Sequence, residues 1–592
     1  MRFRPNAVYL LTLILLSVAL WLPRLQGPLD LRYDGGVYYI LGTSLAEGKG
    51  YRLLNEPGEI EAIQYPPLLP LFAAGIQLLT GSTDPAVAGH WLRLSFFVLF
   101  VALIAAVYML SRRYLAPGFA FLAALVTLFH AYTTWLSELF FAELPFALTS
   151  ILFLLVAGRG EGRSREWLAG VLGAAAFLLR SMGITLLAAW VGESLLKKRR
   201  LRETAFRAAL ALVPVLAWQG YVAHVKGSVE YARPAYEYQR ARYQYYNVGY
   251  LENVAYVDPF VPELGNMTPG QMVKRVARNL AGMPANLGEA VSSRSEWVKL
   301  KLADLDEDFA GLHVPLWLVD VPFVLLGVLV FYGLVLLALR GVWLIPLYVA
   351  GSVLLICLTP WPGQFERYLS PLTPLLALAL FIGLGAAQQR LSTAANAPWR
   401  FAGVALISVV IFGVLVMELV PLYKVYQKRA TAFYEDEHGR RQEYRLFFYK
   451  RPWQLHDEAL EWLKGVAKPG EIVATSTPHW AYLKTGLRAV LPPLENDVGE
   501  AQRLLDSVPV TYLIMDNMEF LDISRRYAAQ MVQAFTDRWT LVYFASDEGS
   551  RIYRRVTPVP SIVAAQQHED GHGQQHVEPR AQRIHPETTR GK

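Results

Sequence analysis

The sequence predicts a polytopic α-helical membrane protein, with about 11 transmembrane helices and a small extracytoplasmic α/β domain at its C-terminal end. Three observations predict it. The 592 residues are 54% hydrophobic and 18% charged, with a mean hydropathy of +0.28; soluble globular chains run at about 45–50% apolar and about 25% charged. Apolar runs of bilayer length recur through residues 1–421. Lys and Arg gather in short clusters between those runs, the positive-inside pattern. Despite a net charge of +7, this composition excludes a soluble enzyme, a disordered scaffold and a nucleic-acid binder.

The first run, 6–22, follows Arg2 and Arg4. Leu25-Gln26-Gly27 offers no small-x-small cleavage site, so this run reads as an uncleaved anchor. Further spans are expected at 88–110, 116–134, 140–158, 204–223, 314–339, 342–359, 367–388 and 401–421. A single helix over 166–196 would put Arg165 and Lys197-Lys198-Arg199-Arg200 on opposite sides of the membrane. Two short helices, 166–179 and 183–196, broken near Arg180-Ser181-Met182-Gly183, return both ends to one side. Pro66–Leu79 is apolar but short, and reads as an interfacial helix. The N-terminus and the basic clusters at Arg112/Arg113, Arg159/Arg163/Arg165 and 197–200 are then cytoplasmic, and segments 23–87, 224–313 and 422–592 lie outside.

In the last of these, blocks alternate in period. Helices are expected at 457–465, 478–485, 501–507 and 523–536, and strands at 471–475, 510–515, 539–545 and 551–555. These make a small α/β domain over 422–556. Residues 557–592 are polar, without periodicity, and read as a disordered tail; its spaced His568, His572 and His576 could bind a metal weakly. The one cysteine, Cys357, excludes an intrachain disulfide. No internal repeat of the kind that marks many transporters is visible.

Several residues can carry chemistry. Asp34 follows the first span among Tyr33, Gly35, Gly36, Tyr38 and Tyr39. Either it caps a helix starting near Gly35 or it works at the membrane–water boundary. Tyr65-Pro66-Pro67 opens the interfacial helix. Glu138 and Glu143 lie in a short loop with Pro145. Ionisable groups at that depth are costly and are usually paired or functional. Arg180 sits at the hairpin break and needs an anion, a carboxylate or water. Arg367 and Tyr368 lie at a later boundary, where a guanidinium either binds phosphate or snorkels. Residues 231–256 are dense in tyrosine, interleaved with Arg233, Arg240 and Arg242. They form either a sugar- and phosphate-binding surface or an aromatic interfacial segment.

Taken in order, these features resemble the C-type glycosyltransferase (GT-C) superfamily. They are an acid after the first span, Tyr65-Pro66-Pro67, Glu143 with Pro145, an arginine in a broken hairpin, and Arg367-Tyr368-x-x-Pro371. Within the superfamily they look like glycosyltransferase family 39, which holds the dolichyl-phosphate-mannose protein mannosyltransferases and the bacterial aminoarabinose transferase of lipid A. The resemblance covers about 1–421. It implies a polyprenyl-phosphate sugar donor, a lipid, glycan or protein acceptor, and an active site at the outer face of a bacterial inner (plasma) membrane. It also implies that Asp34 and Glu143 are the catalytic acids. Tyr33, Tyr38, Tyr65, Glu138, Arg180, Arg367 and Tyr368 are the substrate-binding candidates. Some members carry Lys or His where this chain has Tyr65, so the leaving phosphate must find its cation in Arg367, Arg180 or the tyrosine-dense segment. No cofactor is expected, and no metal, since no metal-ligand spacing accompanies the catalytic candidates.

The chemistry is coherent. A single carboxylate can take the acceptor hydroxyl proton with inversion at the anomeric carbon, and the leaving phosphate needs a cation rather than an acid. The competing readings are a polytopic transporter or lipid flippase, and a non-catalytic envelope assembly protein. Convergence of Asp34, Glu143, Arg180 and Arg367 on one cavity favours the enzyme; charges near the bilayer midplane favour the transporter.

Overall fold

The computed structural model describes residues 5–158, 162–308, 315–394, 397–518 and 522–556. Arg2, Arg4, Arg159 and the tail 557–592 with its histidines lie outside the described residues. The N-terminal half is a stack of helices: α1 (Pro5–Trp21), α2 (Asp34–Ala46), α3 (Leu68–Thr80), α4 (Pro85–Ser111), α5 (Pro117–Phe129), α6 (Ala131–Leu136), α7 (Glu143–Ala157), α8 (Arg163–Leu179), α9 (Gly183–Leu196) and α10 (Leu201–Lys226). Leu316–Leu339, Leu344–Cys357, Thr373–Ala394 and Ala397–Gln427 follow. A helix stands at each expected span. Among the described residues, 6 are long and apolar enough to cross a membrane, and α5, α7, α9 and Leu344–Cys357 are shorter apolar helices.

Local sequence sets the helix ends. α4 starts at Pro85, whose N-cap Asp84 accepts from the Ala86 N–H. α3 is 13 residues long and ends on Gly81 at φ 66°, so it is about 20 Å in length and short for a bilayer. The hairpin break is where charge required it: α8 stops at Leu179, Arg180 is extended (φ −153°) and α9 begins at Gly183. A Cβ on Gly183 would lie 2.5 Å from the Phe177 nitrogen, so only glycine lets the two helices meet there.

Three elements differ from expectation. The span expected at 116–134 breaks at His130, which ends α5 and caps α6, its Nδ1 accepting from the Thr133 N–H (3.2 Å). The span expected at 367–388 starts as short turns over Phe365–Leu369 and Ser370–Leu372 before the helix Thr373–Ala394, because Pro371 and Pro374 interrupt helical hydrogen bonding. Segment 224–313 contains the helix Pro269–Glu289, which starts in a capping box of Thr268 and Gln271. It packs against Leu316–Leu339 through Gly288 and Gly327, where Cβ atoms would collide with the Phe323 and Pro284 carbonyls.

The C-terminal region opens with an antiparallel hairpin, β1 (Ala430–Glu435) and β2 (Arg441–Leu446). A five-stranded sheet follows: β3 (Ile472–Ala474), β4 (Arg488–Val490), β5 (Val510–Met515), β6 (Trp539–Phe544) and β7 (Arg551–Arg555), in the order β4-β3-β5-β7-β6. β3 runs parallel to both β4 and β5; β7 is antiparallel to β5 and β6.

Buried polar contacts fasten this region to the first loop. Arg32 is fully buried, forks onto Asp30 and donates to the carbonyls of Phe447 (2.8 Å) and Phe448 (3.3 Å). Asn55 exchanges two hydrogen bonds with Ala489 on β4: its Nδ2 donates to the Ala489 carbonyl (3.2 Å), and the Ala489 N–H donates back (2.8 Å). Glu56 accepts from Tyr236 (2.8 Å), Gln239 (3.2 Å) and Asn247 (3.3 Å), tying the first loop to the tyrosine-dense segment. Burial raises the Glu56 carboxyl above its usual range.

Candidate active site

A cavity of about 440 Å³ opens where the helix bundle meets the C-terminal sheet. Asp34 is the first residue of α2, and its N-cap is Tyr33 with no side-chain cap bond. The capping alternative is therefore not realised. Instead Asp34 Oδ1 accepts from the Tyr246 hydroxyl (3.1 Å) and Oδ2 from Arg367 Nη2 (2.6 Å). The N-terminal end of α2 adds a favourable dipole for the carboxylate. Tyr33 sits at φ 59°, a conformation that costs a non-glycine residue about 1–3 kcal/mol. Its ring is held edge-on against Trp453 (5.4 Å between centroids) and Trp135 (6.4 Å).

Glu143, the first residue of α7, is 3% exposed and lies behind the cavity wall. Its Oε1 accepts from Arg367 Nε (2.6 Å) and stands 2.7 Å from Arg180 Nη1. Arg367 thus bridges Asp34 and Glu143, and Glu143 bridges the two arginines. The four charges sum to zero. Both arginines line the cavity and are 17% exposed. Arg180 lies over the Tyr368 ring (5.5 Å) and Arg367 over the Phe141 ring (4.3 Å), as their weakly hydrated, planar charge allows.

Aromatic groups supply much of the wall. The rings of Tyr38 and Tyr65 lie tilted at 4.7 Å between centroids, and Tyr65 lies tilted to Tyr246 at 6.2 Å. Burial pushes the phenols of Tyr38, Tyr65 and Tyr246 upward, so they stay protonated, and Tyr246 donates to Asp34. The tyrosine-dense segment divides its labour: Tyr245, Tyr246 and Tyr250 line the cavity, while Tyr236 and Tyr238 pack into the core of the C-terminal sheet. Arg240 lies over the Tyr231 ring and donates to the Asn247 carbonyl, away from the wall.

The sequence candidates Tyr33, Asp34, Tyr38, Tyr65, Arg180, Arg367 and Tyr368 meet in this one wall. Glu138 does not. It is 1% exposed in a separate cluster, 2.9 Å from Arg93, 3.7 Å from Arg429 and 4.0 Å from Arg24. Its charge holds the first span and the C-terminal region together. Residues not singled out from sequence also line the cavity, notably Trp135, Trp453, Trp480 and His479. Among the described residues no group of three or more His, Cys, Asp and Glu could hold a metal ion.

No protein family matches the chain, and no curated protein matches it in sequence. Solved structures do match. The oligosaccharyltransferase of Archaeoglobus fulgidus, in complex with Zn and sulfate, superposes with a TM-score of 0.51 at 13% identity, over 92% of this chain and 73% of that one. The same enzyme tethered to an acceptor peptide containing the NVT sequon gives 0.51 at 13%, over 93% and 74%. ArnT from Cupriavidus metallidurans in the apo state gives 0.50 at 11%, over 92% and 98%. The chain shares the fold of these solved structures, the GT-C-like fold expected from its sequence.

Proposed function

We propose that the protein is a membrane glycosyltransferase that moves a sugar from a polyprenyl-phosphate donor to an acceptor hydroxyl, with inversion, using Asp34 as its base. The observation that carries this is the convergence of Asp34, Arg180 and Arg367 on one cavity at one end of the helix bundle, with Glu143 paired to both arginines behind its wall. A transporter would set its charges near the bilayer midplane. Here they sit at helix termini: the start of α2, the start of α7 and the α8–α9 turn. The basic clusters 112–113 and 197–200 lie at the far ends of α4 and α9, and by the positive-inside rule we read the cavity as facing outward. We read the eleven-span topology, the extracytoplasmic C-terminal domain and the bacterial inner membrane location from the same rule and from the fold.

Each step has a group to perform it. An ionised carboxylate has about four lone-pair sites, and two on Asp34 are taken by Tyr246 and Arg367. The acceptor hydroxyl uses another and gives its proton to Asp34. Its oxygen forms the new bond to the anomeric carbon as the bond from that carbon to the phosphate oxygen breaks. The electron pair leaves on the phosphate, and Arg367 and Arg180 stabilise the charge that develops there. Glu143 is too buried to reach substrate; it aims both guanidiniums. Transfer of labelled sugar from polyprenyl-phosphate donors by purified protein tests this. Asp34→Asn abolishes release of polyprenyl phosphate if the reading holds, and a fully active Asp34→Asn refutes it.

A further inference from the structure

The cavity has two chemically different halves. Its charged lining residues, Asp34, Arg180 and Arg367, all come from the helix bundle. The C-terminal domain contributes a roof of Trp453, Ser476, Thr477, Pro478, His479 and Trp480. The last five form the turn that leaves the carboxyl end of β3 and enters the helix Pro478–Thr485. β3 runs parallel between β4 and β5, and open α/β sheets bind ligands beyond the carboxyl ends of such strands.

The roof is held in place. His456 Nε2 lies 2.9 Å from Thr477 Oγ1. Ser476 Oγ donates to Asp516 Oδ2, which also accepts from Ser524 (2.8 Å). Trp480 Nε1 donates to Asp457 (2.7 Å). One group is left over: His479 is 4% exposed, and its Nε2 has no hydrogen-bond partner among the described residues. A buried polar atom without a partner is costly and calls for a ligand or water. The His479 ring stands edge-on to Tyr246 at 4.6 Å, and Tyr246 donates to Asp34. The helix carrying His479 packs on α2 at Gly36, where a Cβ would lie 3.2 Å from His479 Cβ. The leftover nitrogen therefore belongs to the neighbourhood of the base.

We infer that the turn Ser476–Trp480 is the acceptor side of the site, and that it takes an uncharged carbohydrate whose hydroxyl completes the hydrogen bonding of His479 Nε2. This rests on the glycosyltransferase reading. The two arginines are neutralised by two carboxylates, and the donor phosphate is the anion they are placed to receive. A second anion, on a lipid-phosphate acceptor, would face a roof with no charge to meet it and would be desolvated uncompensated. Hydroxyl and imidazole groups beside flat indole rings suit a sugar, which presents hydroxyls at its edge and C–H groups on its face. A protein acceptor would need only one hydroxyl and leaves the rest of the roof unexplained.

The test uses the full chain in lipid nanodiscs, tritiated hexose and pentose donors on undecaprenyl phosphate, and a cell-envelope preparation separated into glycan, protein and lipid. The readout is the ratio of sugar transferred to sugar released by water. Label is expected in the glycan fraction as acid-stable glycosides. His479→Ala should lower the ratio about tenfold, the worth of one hydrogen bond, and His479→Gln should restore most of it. Asp34→Asn lowers transfer and release together. Label found in acid-labile glycosyl phosphate or in protein overturns the inference, as does a His479→Ala ratio within twofold of wild type. If His479→Ala fails to accumulate, Ser476→Ala is read against the same ratio. If wild type cleaves no donor in the panel, the transferase reading falls first.

Discussion

Glu143→Gln isolates the positioning role assigned to Glu143. The substitution keeps shape and removes one charge. In wild type a single oxygen, Oε1, faces Arg367 Nε at 2.6 Å and Arg180 Nη1 at 2.7 Å, in a side chain 3% exposed. With glutamine, two guanidiniums share the one remaining carboxylate, Asp34. Breaking a buried ion pair by losing one partner costs about 3–5 kcal/mol. Both arginines retain some solvent, 17% each, which favours the lower end, about 3 kcal/mol. If that loss is felt while charge develops on the leaving phosphate, kcat falls about a hundredfold. The donor KM should not rise, because both cations remain and one is less neutralised. Steady-state kinetics with labelled donor measure both constants. Glu143→Gln combined with Arg180→Gln restores the charge balance, and its stability loss should be smaller than the sum of the single losses by about 1 kcal/mol or more. Glu143→Gln turning over within threefold of wild type, or losing activity through KM alone, would refute the positioning argument.

Three further outcomes are expected. Arg32→Ala leaves Asp30 buried without its cation and two carbonyls without a donor; it should cost about 3–5 kcal/mol and speed proteolysis over 428–450, with Asp30→Asn/Arg32→Met costing less. Gly36→Val puts a branched side chain 3.2 Å from both His479 Cβ and the Leu31 carbonyl; it should cost about 1–3 kcal/mol and lift the helix Pro478–Thr485 off α2, seen as loss of a cross-link engineered between them. Burial pushes His479 down to about 3 from an ordinary value of about 6.5, so its contribution to stability is complete above about pH 6.5 and is lost as pH falls from there toward 3. By pH 5 that loss is about 2 kcal/mol. His456, also pushed down by burial, acts in the same direction, so His479→Gln should flatten only part of the acid slope in thermal melts between pH 5 and 7.

The helix positions were legible because hydropathy acts over whole turns of helix. The break at Arg180-Ser181-Met182-Gly183 was legible because two basic clusters could not lie on opposite sides of a membrane. Asp34, Arg180 and Arg367 could be chosen from sequence because an ionisable group at a membrane boundary is costly wherever it lies. What those groups touch was not legible. Glu138 reads like Glu143 locally, yet Arg24 and Arg93 take it into a structural cluster from 114 and 45 residues away in sequence. β1 and β2 carry little signal in the sequence, because Arg441–Leu446 alternates only weakly, with buried residues at Tyr444 and Leu446. β4 is three residues long. The capping box at Thr268 and Gln271 was readable and marks the helix that the loop assignment of 224–313 passed over. Nothing local distinguishes His479, because its neighbours Gly36 and Tyr246 come from distant parts of the chain.

The bonds that fasten the roof have a consequence for biosynthesis. Arg32 reaches the Phe448 carbonyl across 416 positions, and Asn55 reaches Ala489 across 434. The ribosome therefore releases Asp34, Arg180 and Arg367 before it makes the residues from Trp453 to Trp480 that line the other side of the cavity. Until those residues are made, a nascent chain carries Asp34 and both arginines without the side chains that cover them. A chain truncated within that domain is expected to keep its helices and yet hold no enclosed chamber.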